Sequence, residues 1–345
     1  MKICSRYLSS LLSRALPFPE KCESCVIKDS EMGAMYQKIA EIWYNTPENR
    51  RFSRKFGSDV PKNSRIVVHH FIKPSDMIEE MLQPLVSVRF ATEPKYREGH
   101  IRIINALPGR RIMGLHVPDM KKVAKELARR EDAADIIRGF EKEAEAESTG
   151  IYGSRLTYEE TVVWGLMINA MKVSWEDRAE MLRKYIPVLD NWAVCDTFCC
   201  NAKWKCTRTA LWDFLQPYWK SGHEFEVRFA IVMSMVHFLD AEWFPEVCRM
   251  LDGLDYDSIR SCYKKGSRCV PVHDAESESI KQGTALGESP YYVRMAVAWL
   301  LATALAKIPD QTRAYVNASH LPADVRRLYV RKARESFRTR TVSPF

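Results

Sequence analysis

Tyr185-Ile186-Pro187-Val188-Leu189-Asp190-Asn191-Trp192-Ala193-Val194-Cys195-Asp196 sets an aromatic ring and a carboxylate four residues apart, at Trp192 and Asp196. If Asn191 or Asp190 caps a helix there, the two side chains share one face near its start. Pro187 supports that reading, because a proline tends to close the preceding helix and leave a short turn. An aromatic face beside a carboxylate suits a cation. A core tryptophan followed by a surface carboxylate would show the same spacing, so spacing alone leaves both readings open. Cys195, Cys199, Cys200 and Cys206 crowd the same region, and Cys22 and Cys25 form a CxxC, but no second CxxC or HxxxH completes a ligand set. A zinc site takes four ligands in paired spacings, so free thiols in a reducing compartment are expected, with no metal or redox cofactor.

The elements that must position these groups read as helices. Met77, Met81, Leu82 and Leu85 predict one after Pro74, and Pro118 can open another in which Met120, Val123, Ala124 and Leu127 form the apolar stripe. Residues 131–148 are acidic and alanine-rich, permissive for helix but poorly anchored. After Gly150 the helical periods run 158–171, 175–185, 192–200, 207–219, 224–239, 244–251, 291–307, 309–316 and 322–337. Ser174 with Asp177 three residues on approaches a capping box for the second of these. No run of alternating β-branched residues competes, and the fold class is all-α.

Val227-Arg228-Phe229-Ala230-Ile231 reads again as Val293-Arg294-Met295-Ala296-Val297. Helices paired at a loose period of this kind are expected of a HEAT-like solenoid, whose curved stack offers a concave face to extended partners. Tyr292, Met295 and Trp299 fall at i, i+3 and i+7, the spacing of a packed helix face. Residues 266–290 are rich in Ser, Gly, Glu and Lys and predict a mobile insertion that carries no chemistry.

The 345 residues suffice for one large domain or two small ones, and no apolar run approaches a membrane span. A net charge of +8 suits a polyanionic partner without requiring one. The first nineteen residues carry Lys2, Arg6 and Arg14, several serines and no acid, with leucines at helical spacing. This pattern fits an organelle-targeting peptide, an ordinary surface helix or a floppy terminus. Residues 1–64 are therefore read as an extension, with Arg50, Arg51, Arg54 and Lys55 as a solvated or phosphate-touching run, and 65–340 as the helical domain. An intracellular location is expected: cytoplasm or nucleoid in a bacterium, nucleus or organelle if the first segment is a targeting peptide.

Taken in order, Ile112-Met113-Gly114-Leu115-His116-Val117-Pro118 with its lysine-rich helix, Tyr158-Glu159-Glu160, Ile186 to Asp196, Val227 to Ala230 and Tyr292 to Leu301 resemble the AlkD-like DNA alkylation repair family, the HEAT-like-repeat alkylpurine DNA glycosylases. The resemblance covers roughly residues 95–338. It implies a helical stack with a basic concave face that holds duplex DNA and hydrolyses the glycosidic bond of a cationic N3- or N7-alkylpurine. The family's aromatic and carboxylate motif falls on Trp192 and Asp196, its second tryptophan on Trp299, and its arginine near the carboxylate on Arg228. Ala302 stands where some members carry a basic residue. The enzyme would act as a monomer, without cofactor or membrane.

Those residue types fit that chemistry. Alkylation at N3 or N7 already makes the base a good leaving group, so stabilising positive charge on the sugar matters more than a general acid. Asp196 could do this and orient the attacking water. Trp192 and Trp299 could offer ring faces to the cationic nucleotide, each contact worth about 0.5–2 kcal/mol. Arg228 could grip a phosphate or act as the charge partner of Asp196. Lys203, Lys205, Arg208 and Arg294 are further candidates for phosphate contacts. A second reading keeps the same scaffold as a non-catalytic DNA-binding or DNA-structure-recognition protein, and a third makes it a helical scaffold for protein partners.

Overall fold

The computed structural model describes residues 74–107, 110–148, 156–261, 263–264, 270–271 and 290–345. The readings of the 1–64 extension and of most of the 266–290 insertion fall outside the described residues. Within them the helices in chain order are α1 (Pro74–Leu82), α2 (Val88–Thr92), α3 (Pro94–Ile104), α4 (Val117–Leu127), α5 (Ala133–Ser148), α6 (Tyr158–Ala170) and α7 (Trp175–Tyr185). Then follow α8 (Trp192–Cys199), α9 (Arg208–Trp219), α10 (Glu224–His237), α11 (Phe244–Asp252), α12 (Tyr291–Lys307), α13 (Pro309–Ala318) and α14 (Ala323–Glu335). Among the described residues the fold is all-α apart from one antiparallel pairing of two residues each, Tyr263–Lys264 with Val270–Pro271, and an isolated parallel bridge between His223 and Arg260.

Helix packing follows an alternation along the chain. From α4 on, every second helix joins one continuous row: α4 packs on α6, α6 on α8, α8 on α10, α10 on α12, and α12 on α14. Helices α7, α9 and α13 lean against this row from α6, α10 and α12 respectively. Sequence follows position along the row. Helices α6, α10 and α12, inside it, are apolar on nearly every side and bury most of their length, whereas α4 and α14, at its two ends, and α11 carry a charged face. No described helix is long and apolar enough to cross a membrane.

Helix ends are set by local chemistry. The Thr157 hydroxyl accepts from Glu160 N–H while the Glu160 carboxylate accepts from Thr157 N–H, a reciprocal cap for α6. Ser174 caps α7 through Asp177 N–H, and Pro118 lies in the first turn of α4, both as the sequence predicts. Pro187 closes α7 at Tyr185 and lies in a single 3₁₀ turn, Ile186–Val188, before α8 begins, the short turn that the sequence predicts. The expectation that 131–148 is poorly anchored is corrected. Ile136, Ile137 and Phe140 of α5 are buried, and Phe140 stacks on Trp164 with ring centroids 5.7 Å apart. Helices α2 and α3 were not anticipated, because their short, charged sequences carry little apolar period.

Two glycines permit close approaches. A Cβ on Gly165 would lie 2.3 Å from the hydroxyl oxygen of Tyr185, whose buried ring meets Trp164 edge-on and donates to the Thr161 carbonyl. Gly165→Ala is expected to cost about 2–3 kcal/mol, read from the shift in urea midpoint at unchanged slope. Gly114, at φ +93°, lies against the Phe90 ring, where a Cβ would come within 2.1 Å.

Candidate active site

The row of helices brings Trp192, Asp196, Arg228 and Trp299 to one cleft of 720 Å³. Asn191 begins the arrangement. Its side-chain oxygen accepts from Ala193 N–H and starts α8, while its amide donates to the Ile104 carbonyl at 2.7 Å. The Trp192 indole N–H donates to the Ile103 carbonyl at 3.2 Å. Two open carbonyls at the end of α3 are thereby satisfied by the start of α8, and Trp192, tethered in this way, lines the cleft. One helical turn on, Asp196 lines the same cleft.

Arg228, from the middle of the apolar helix α10, grips Asp196 with two parallel hydrogen bonds. Nε meets Oδ1 at 2.9 Å and Nη2 meets Oδ2 at 2.8 Å. Its remaining Nη1 donates to the Tyr292 carbonyl at 2.6 Å. The arginine side chain is only 4% exposed and the aspartate 13%, so the pair is partly desolvated and its geometry is fixed by three contacts. Burial pulls the guanidinium pKa down, but the carboxylate of Asp196 beside it outweighs burial and raises it. An ionised carboxylate offers about four lone-pair positions. Two remain for a water or for the electrostatic field of a sugar cation.

Tyr292 ties the site together. Its N–H donates to Glu224 at 2.7 Å, its carbonyl accepts from Arg228, and its hydroxyl accepts from the Asn105 amide at 2.9 Å. The start of α12 is thus locked to α10 and to the left-handed turn at Asn105 that ends α3. The rest of α12 presents Tyr291, Met295, Trp299 and Thr303 as a partly exposed stripe four residues apart, all lining the cleft. This refines the expected packed face, since Tyr292 turns inward and Tyr291 takes its place beside Met295 and Trp299.

Glu224 is buried at the head of α10 and also accepts from the Ser261 hydroxyl. Desolvation pushes its pKa up to about 7, against the opposing pull of Ser261, the Tyr292 N–H and the Arg228 charge. Because the folded value lies above the ordinary 4.5, the folded protein binds the extra proton. Its contribution to stability is whole below the unfolded pKa and is lost as pH rises through about 7. Glu224→Gln is expected to flatten a fall of roughly 3 kcal/mol across that window, measured by denaturant unfolding at closely spaced pH.

Glu159 plays a comparable holding role at α6. Its carboxylate accepts from the backbone N–H groups of Met113, Gly114 and Leu115 at 2.9, 2.7 and 3.3 Å. Burial raises its pKa and the three N–H donors oppose that rise.

Of the residues expected to meet phosphate, Lys203 and Lys205 are exposed in the loop between α8 and α9 and make no ion pair among the described residues. Arg208 instead pairs with Asp240 at 2.5 Å and Glu242 at 3.6 Å, over the rings of Phe238 and Trp243. Arg294 is buried, pairs with Asp324 at 3.0 Å and lies over the Tyr256 ring. Neither lines the cleft. A further wall of the cleft was missed: it comes from α14 and the turn after it, through Arg331, Lys332, Ser336, Phe337 and Arg338. Seven basic residues against two acidic ones between 323 and 340 were the available signal. The cysteines near Asp196 are free thiols, and Cys195 and Cys199 are buried. No group of three or more potential metal ligands gathers among the described residues.

Fold and site thus define an all-α protein whose serial helix row carries an aromatic cleft around an arginine-held carboxylate. Residues 91–258 match the family model described as DNA alkylation repair enzyme. No curated protein and no solved structure matches the chain. The match relates the segment to enzymes of DNA repair and to DNA as substrate, and it contains Trp192, Asp196 and Arg228. Trp299 and the wall from α14 lie beyond it.

Proposed function

We propose that the protein is a DNA glycosylase that hydrolyses the N-glycosidic bond of cationic N3- or N7-alkylpurines in duplex DNA. The observation that carries this reading is one cleft in which Asp196, oriented by Arg228, lies among the rings of Trp192, Tyr291 and Trp299. Ring faces favour a nucleotide that bears positive charge. The carboxylate opposes the charge that develops on the sugar as the bond to the base breaks, and its free lone pairs position a water for attack. The base departs neutral because alkylation had made it cationic, so no proton donor is required of the protein. Lys203 and Lys205, with the cations of the α14 wall, hold the phosphate backbone and set register without reading sequence. Binding weakens steeply with salt as those contacts release counterions.

One observation favours a second reading, a DNA-binding protein without turnover on the same scaffold. Both carboxylate oxygens of Asp196 already accept from Arg228, as in a structural ion pair. The two readings part on product. Incubation with methylated duplex followed by alkaline cleavage reveals abasic sites if the protein is a glycosylase. Retained binding without abasic sites establishes the second reading.

A further inference from the structure

The cleft wall from α14 ends in a feature that the proposed chemistry leaves unused. Phe337 is 76% exposed, an unusual placement for a large apolar ring, and it lines the same cleft as Trp192 and Asp196. The turn that presents it is built firmly. Thr339 is buried and its hydroxyl donates to the Ala333 carbonyl at 2.7 Å, while Thr339 and Arg340 N–H groups both return to the Ser336 carbonyl. Beyond the turn, the Tyr329 hydroxyl donates to the Pro344 carbonyl at 2.8 Å and holds the chain end against α14. Phe337 is therefore held outward by its surroundings.

Its neighbours give the ring a partner. Arg338 packs against it with the guanidinium carbon 5.8 Å from the ring centroid, and Arg331 and Lys332 line the same wall. Glu335 is the acid among them and pairs with Lys332 at 2.8 Å and with Arg331 at 3.5 Å, one carboxylate against three cations, which leaves the wall with a net positive charge. An exposed aromatic ring set among cations fits stacked bases with phosphates alongside.

We propose that Phe337 is a wedge that enters the base stack beside the nucleotide held over Asp196, with Arg331 and Arg338 on the flanking phosphates. This rests on the reading of the cleft as a DNA site, but not on turnover. Inserting the ring unstacks one step and bends the duplex toward the cleft, which brings the sugar of the lesion nearer the carboxylate.

The test uses the full chain and a duplex in which a 2′-fluoro sugar stabilises 7-methylguanosine against hydrolysis, with 2-aminopurine as the adjacent base. Wild type is expected to raise 2-aminopurine fluorescence on binding. Phe337→Ala should abolish the rise and weaken binding about 10-fold, while Phe337→Trp retains both. The position is exposed, so the substitution removes no core packing, and a matched thermal melt checks that the variant is folded. Equal fluorescence and affinity for wild type and Phe337→Ala would overturn the wedge and leave the glycosylase reading intact. A Phe337-dependent rise with no abasic sites in ordinary methylated duplex would support the wedge and overturn the glycosylase. No binding by wild type at low salt would overturn both.

Discussion

Asp196→Asn is expected to slow release of a methylated purine from duplex DNA by about 10²- to 10³-fold, with duplex affinity nearly unchanged. Asparagine keeps the shape of the side chain but removes the charge that opposes the developing sugar cation. It also replaces one acceptor with an N–H₂ group facing an Arg228 donor, because both carboxylate oxygens now accept from that guanidinium. Some loss of stability therefore accompanies the loss of rate. Single-turnover release at saturating enzyme, corrected for the folded fraction, separates the two effects.

Arg228→Met should be the most damaging substitution to stability, at about 3–5 kcal/mol. It strands Asp196 at 13% exposure and leaves the Tyr292 carbonyl without the Nη1 donor. Methionine fills much of the volume, so the cost is electrostatic. The double variant Asp196→Asn, Arg228→Met removes both charges and should recover a large part of that stability, since a buried pair replaced as a unit is often tolerated. Its excision rate should remain as low as that of Asp196→Asn. Recovery of stability without recovery of rate, followed by urea unfolding and base release, marks Asp196 as chemical as well as structural.

The local chemistry of the chain was legible because it is short-range. The Asn191 cap, the Trp192 and Asp196 spacing, the Ser174 cap and Pro118 at the start of α4 each depend on residues within one turn. The five-residue repeat at 227–231 and 293–297 was legible for a similar reason: both copies lie on inner helices with the same burial demand. Partners 30 or more residues away were not legible from spacing, and only the family resemblance set Arg228 beside Asp196. Arg228 and its repeat mate Arg294 look alike in sequence, yet one reaches back to Asp196 and the other forward to Asp324. Only the stacking order of the helices decides that, and it removes Arg294 from the cleft. Arg208 is diverted the same way by Asp240. The anchoring of α5 was missed because only three apolar residues, Ile136, Ile137 and Phe140, hold a stretch whose composition is otherwise acidic. The wall from α14 escaped because its cations lie beyond the segments that carry the resemblance.

The most direct measurement is chromatographic identification of the free base released from methylated duplex, set against a duplex bearing a neutral lesion such as uracil, for wild type and Asp196→Asn side by side. The account predicts that wild type releases 3-methyladenine or 7-methylguanine, leaves uracil in place, and loses release when Asp196 is changed. Release of the neutral base at a similar rate, or undiminished release by a folded Asp196→Asn, would contradict a cleft that works by matching ring faces and one carboxylate to positive charge.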